Sequence, residues 1–139
     1  MIRAVLDTSV LIRYLIKPSA AVKELIEECW LGEQIQMVTA PELIEELEGV
    51  LERDYIQALV RPEEGQAPLD AIYQRAEILP SLGNVPSYTC DPKDDKFAAC
   101  ALAGAADYIV TEDKDILVLQ ALGGVRMVTP YDFVRTNPR

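Results

Sequence analysis

Apolar residues along the chain follow two rhythms. Short, mostly apolar runs, Ile2 to Leu6, Ile35 to Val38, Tyr108 to Thr111 and Val125 to Thr129, predict strands. Between them, hydrophobic positions recur every three or four residues, the period of a helix with one face in a core. Val10 to Ile16 predicts the first such helix, ending near Lys17 and Pro18. Ser19 reads as the N-cap of a second over residues 20–32, where Val22, Leu25, Ile26 and Cys29 share a face and Gly32 closes the helix. Pro41 opens a third, 41–56, with Leu43, Leu47, Val50 and Leu51 on its inner side. Asp91 and Pro92 are a start signal for a helix rich in small residues over 93–106. Residues 113–122 predict another, and 131–134 a short terminal one after Thr129 and Pro130.

Between Arg61 and Asp91 the rhythm fails, because Pro62, Gly65, Pro68, Pro80, Gly83 and Pro86 interrupt it. Only residues 69–79 carry a helical pattern there. Strands alternating with helices predict an α/β sandwich with a mainly parallel central sheet flanked by helices. Sites on such sheets gather beyond the carboxyl ends of the strands. Two of the runs end in acids at that edge: Leu6 gives way to Asp7, and Val110 to Thr111, Glu112 and Asp113.

With 139 residues, 50% hydrophobic and 26% charged, the chain has the composition of a globular protein, expected as a single domain over 1–139. Asp7 and Arg13 break the apolar N-terminus, so neither a membrane span nor a signal sequence is predicted, and a soluble cytoplasmic protein is expected. Cys29, Cys90 and Cys100 lack the spacing of a disulfide framework or zinc site. Histidine is absent, which removes imidazole acid-base chemistry, Ser-His-Asp triads and His-ligated metals. Catalysis must rest on carboxylates, hydroxyls, lysines or arginines. The 23 acids outnumber 13 bases for a net charge of −10, a field that repels a polyanion unless cations reverse it locally.

The acids then decide the chemistry. In the helix opened by Pro41, Glu45, Glu48 and Glu52 fall on a solvated face, whereas Glu46 borders the apolar stripe with Leu43 and Val50 as neighbours. Glu42, one turn earlier, points the same way and also suits the helix N-terminus. Asp94 and Asp95 both lie in a first helical turn, where capping accounts for one of them. Asp95 stands above Ala99 and Leu102, so it is the expected inward ligand, with Asp94 in support. In the stretch TEDKD, Asp113 is assigned to the site and Asp115 to solvent. Asp7, Glu46, Asp95 and Asp113 thus come from four segments to one end of the sheet, where their repulsion calls for a cation. Carboxylate oxygens suit Mg²⁺ or Mn²⁺, and such ions activate water for in-line attack on a phosphodiester.

Taken together, VLDTSVLI, ELIEELEGVL, DPKDDKFAACALAGAADYIVTEDKDIL and VRMVTP resemble the PIN domain family, over nearly the whole chain. The resemblance implies a PIN-like three-layer fold and a Mg²⁺- or Mn²⁺-dependent endoribonuclease, the toxin of a bacterial toxin-antitoxin pair. Carried over residue by residue, the family's four acids fall on Asp7, Glu46, Asp95 and Asp113, with Glu42, Glu45 and Asp94 as exchangeable neighbours. Ser9 stands where many members have asparagine and supports Asp7 through its hydroxyl, and Thr111 holds a water or Asp113. Arg13, Lys93, Lys96 and Lys114, close in sequence to the acids, are candidate phosphate contacts. An RNA substrate, a cognate antitoxin and a homodimer are the implied partners. Two other readings stand beside this one. Asp7 after a first strand also suits an aspartyl-phosphate phosphatase or phosphoacceptor, although Ser9 replaces the second aspartate of the dehalogenase-like version. A non-catalytic binding module could keep the same fold.

Overall fold

The computed structural model describes residues 1–136. Strands β1 (Ile2–Leu6), β2 (Ile35–Thr39), β3 (Glu77–Ile78), β4 (Tyr108–Val110), β5 (Ala121–Leu122) and β6 (Val125–Val128) form one sheet in the order β3-β2-β1-β4-β6-β5. All neighbours run parallel except β5 and β6. The chain builds outward from β1 to β3, then returns to the other side of β1 with β4, so the strand order reverses between β1 and β4. Such a switch point leaves a crevice beyond the strand ends, and the register Leu6↔Val110 aligns the two ends there.

Side chains alternate across the sheet. Ala4 and Leu6 face a core with helices α1 (Thr8–Leu15), α2 (Ala20–Glu24), α5 (Pro62–Arg75) and α8 (Pro130–Thr136); Val5 faces the other core, built on α6 (Asp95–Ala103) and α7 (Lys114–Leu117). Helix α3 (Pro41–Leu51) joins both, with Ile44 and Leu47 in the first and Leu43 in the second. This three-layer architecture is the one expected from the sequence. Close approach of α6 to the sheet depends on Gly104, where a Cβ would lie 2.5 Å from Val38 Cγ1.

Element bounds differ most from the expected ones at four places. The second helix continues from α2 as a π-helical turn, Leu25–Trp30, after its Ser19 cap. The third ends at Leu51, and after an extended Arg53 (φ −65°, ψ 139°) a separate short helix, α4 (Asp54–Gln57), begins. Helix α5 starts at Pro62, seven residues before its expected start at Leu69, and residues 77–78 form β3. Gly65, Pro68, Leu69 and Ile72 are its buried positions at helical spacing, so the breakers that hid the helix sit on its core face. Helix α7 stops at Leu117 and the chain enters β5. Among the described residues, no helix is long and apolar enough to cross a membrane.

Phe97, 1% exposed, is a large side chain of the second core. Phe97→Ala is expected to lose about 3–5 kcal/mol of stability in urea unfolding.

Candidate active site

Strand β1 hands over to α1 at Asp7. Its amide donates to Val110 O at 3.1 Å, and its carboxylate, the N-cap of α1, accepts from Ser9 N at 3.4 Å. The other carboxylate oxygen, Oδ2, accepts from Ser9 Oγ at 2.9 Å and Thr111 Oγ1 at 2.6 Å. Burial pushes the Asp7 carboxyl above its usual range; the Thr111 and Ser9 hydrogen bonds oppose that rise, and the charge of Glu46 adds to it. Thr111 is fully buried, and its oxygen also accepts from the Asp113 amide at 2.9 Å.

Glu46 enters from α3. Thr8 Oγ1 donates to its Oε2, and Lys96 Nζ lies 2.7 Å from its Oε1. The other two glutamates of this helix are elsewhere: Glu42 accepts from Ser81 Oγ at 2.7 Å and Leu82 N at 2.9 Å, and Glu45 is exposed. Asp113 caps α7, accepting from Asp115 N at 2.9 Å.

The aspartate doublet is placed the other way round from the expected assignment. Asp94 lines the cleft with Asp7, Glu46 and Asp113, whereas Asp95 does not. Asp95 Oδ1 accepts from Tyr88 N at 2.9 Å, Thr89 N at 2.7 Å and Thr89 Oγ1 at 2.9 Å. The Thr89 and Tyr88 amides hold its carboxyl below the usual range. Helix phase explains the exchange. Phe97, Ala98 and Ala101 are the buried residues three, four and seven positions beyond Asp94, while Ala99 and Leu102, spaced likewise from Asp95, are half-buried.

Asp94 is 9% exposed, and its Oδ2 is buried without a hydrogen-bond partner. Burial pushes its carboxyl up to about 7, and the charges of Asp113, Asp91 and Asp7 act in the same direction. Oxygens of Asp91, Asp94 and Asp115 lie within 4.8 Å of one another. Sequence reasoning passed over Asp91 and Asp115 as a helix cap and a solvated acid, although the spacings DPKD and DKD were visible. Thr8 was missed as well; only its place next to Asp7 could have pointed to it.

The cleft has a volume of about 570 Å³ and admits Arg13, which pairs with Glu112 at 3.3 Å. Lys96 reaches the site through Glu46. Lys93 and Lys114 are exposed and are not among the lining residues.

The sequence matches a family model described as a PIN domain over residues 3–115. Solved structures resemble the fold at low identity. VapBC2 from Rickettsia felis, bound to a DNA fragment from their promoter, has a TM-score of 0.58 and 16% identity, covering 91% of this chain and 97% of that one. DNA-bound VapBC from Salmonella typhimurium gives 0.58 and 15%, covering 94% and 99%. The PIN domain endonuclease Utp24 gives 0.53 and 16%, covering 90% and 82%. No curated protein matches the chain.

The raised Asp94 carboxyl has a consequence for metal-free protein. Between an unfolded value of about 3.9 and the folded value of about 7, the folded chain keeps a proton that the unfolded chain has lost. Stability from this group is therefore complete below the lower value and falls as pH rises through the upper one. With EDTA present, the melting temperature is expected to increase from about pH 8 to about pH 6. Asp94→Asn should flatten that slope and melt higher than wild type at the alkaline end, whereas Asp95→Asn, which loosens the 88–89 backbone, should melt lower.

Proposed function

The chain belongs to the PIN domain family, and we propose that it is a Mg²⁺- or Mn²⁺-dependent endoribonuclease whose ligands are Asp7, Glu46, Asp94 and Asp113. The observation that carries this reading is Asp94 Oδ2, a buried oxygen without a donor among other carboxylates. Leaving such an atom unsatisfied is costly, and a cation satisfies it. The donors are hard oxygens, with no histidine in the chain and no cysteine lining the cleft, a set that fits Mg²⁺ or Mn²⁺ and not softer metals. Bound there, such an ion offsets the carboxylate charge, lowers the pKa of water and stabilises the leaving oxygen of a phosphodiester.

The chain's own groups set the geometry. Thr111 and Ser9 fix the Asp7 carboxylate, and Thr111 ties it to the Asp113 backbone. Thr8 and Lys96 hold the two oxygens of Glu46. Asp95 acts at one remove: by fixing residues 88–89 it steadies the turn that carries Asp91 and Asp94. Arg13 contacts phosphate at the rim. Family membership favours hydrolysis over the aspartyl-phosphate reading. The fold shared with the two VapBC structures supports a toxin restrained by an antitoxin. With a net charge of −10, the chain offers an acidic surface to a basic antitoxin segment. We further assign it to the cytoplasm and to a homodimer.

Calorimetric titration with Mn²⁺, paired with cleavage of end-labelled RNA, tests the assignment. Wild type should bind the ion and melt higher with it. Asp7→Asn and Asp94→Asn should lose both effects and lower cleavage by about a hundredfold or more. Asp95→Asn should keep ion binding below its melting temperature. Ion binding lost in Asp95→Asn and intact in Asp94→Asn would reverse the ligand assignment.

A further inference from the structure

The acidic cleft has a second wall of different chemistry. The break at Arg53 starts α4, whose Tyr55 and Ile56 line the cleft, and Ile56 and Val60, 2% and 6% exposed, anchor the turn in the protein. Helical bonding continues past the helix end, with Val60 N donating to Ile56 O at 2.9 Å. Tyr55 and Leu59, also four residues apart, therefore share the outward face and are 59% and 65% exposed. Both line the same cleft as Asp7, Glu46, Asp94 and Asp113, and Ile12, Ile16 and Val50 add apolar surface to its lining.

We infer that Tyr55 and Leu59 form a platform on which an unpaired nucleobase beside the scissile phosphate stacks, an inference that rests on the nuclease reading above. The geometry of a nucleic-acid strand favours this occupant. A phosphate placed at the acids is followed within one nucleotide by a flat apolar base, and an exposed aromatic ring and a leucine line the same cleft as the carboxylates. Aromatic side chains bind bases of any sequence through their π-faces. Two cations lie along the same wall: Arg53, whose Nη1 is 3.4 Å from Tyr55 Oη, and Arg13. Arg13 already pairs with Glu112 at 3.3 Å, so Arg53 is the guanidinium that meets a phosphate flanking a stacked base. A base paired within a duplex has both faces covered by its neighbours and cannot take this place. The substrate is thus a strand unpaired at the cleavage point.

Cleavage kinetics in Mn²⁺ on a single-stranded RNA, and on the same RNA annealed to its complement, test this. Tyr55→Ala is expected to raise KM about 5- to 100-fold with kcat and Mn²⁺ affinity near wild type. Tyr55→Phe, which keeps the ring, should match wild type, as should Tyr73→Ala, an equally exposed tyrosine on α5. The annealed RNA should resist cleavage, and 2-aminopurine at the scissile position should be quenched by wild type and not by Tyr55→Ala. Unchanged KM in Tyr55→Ala, or equal cleavage of the duplex, overturns the platform while leaving the nuclease intact. If Tyr55→Ala halves the molecular mass by light scattering and leaves quenching unchanged, the wall belongs to a contact between two copies of the chain. Wild type that cleaves neither RNA form removes the nuclease reading and the platform with it.

Discussion

The hydroxyl of Thr111 donates to Asp7 Oδ2 at 2.6 Å and accepts from the Asp113 amide at 2.9 Å, within a fully buried side chain. One oxygen therefore couples the two strands at the topological switch point, β1 through its terminal aspartate and β4 through the turn into α7. A valine would fill the same space but supply neither bond, leaving a buried carboxylate oxygen short of a donor. The adjoining backbone reinforces the link: Asp7 N donates to Val110 O and Thr111 N to Val128 O, so β1, β4 and β6 end in register. Glu46 comes to this fixed floor from α3 and Asp94 from the turn that leads into α6.

That arrangement sets the fold against itself locally. Four carboxylates line one cleft, and those of Asp7 and Asp94 are both raised by burial. Apolar packing on both faces of the sheet holds them there: Leu6 and Phe97 are buried within one or a few residues of Asp7 and Asp94. Proteins commonly place locally unfavourable groups at functional sites and offset them elsewhere in the structure. Lys96 supplies the one opposite charge given to a lining acid by an ion pair among the described residues, and it neutralises Glu46 at 2.7 Å.

Most of this architecture was legible in the sequence because its signals were local. Short apolar runs gave the strands of the parallel core, and Ser19, Pro41, Asp91 and Pro130 marked helix starts. Helix α5 was hidden because Gly65 and Pro68 occupy core-facing positions, where packing against Leu51 and the first core outweighs their poor propensity. The break at Arg53 left no signal, since the extended conformation there follows from how Ile56 and Val60 dock. At the aspartate doublet the placement differs from the expected one for a related reason. Ala99 and Leu102 looked like the inward face because they are small or apolar, but Phe97, the largest side chain in the turn, sets which way the helix faces and carries Asp94 inward.

The carboxylate that does not reach the cleft has its own effect on the molecule. Asp95 on α6 grips residues 88–89, and Glu42 on α3 grips Ser81 and Leu82. A long connection is thus clamped near both ends by acids of α3, which also carries Glu46, and α6, which follows directly on Asp94. Residues 84–87 lie between the clamps, so their length and sequence can change without moving either anchor. The segment is an interchangeable part: insertions there diversify what the protein touches while the floor of the cleft stays as it is.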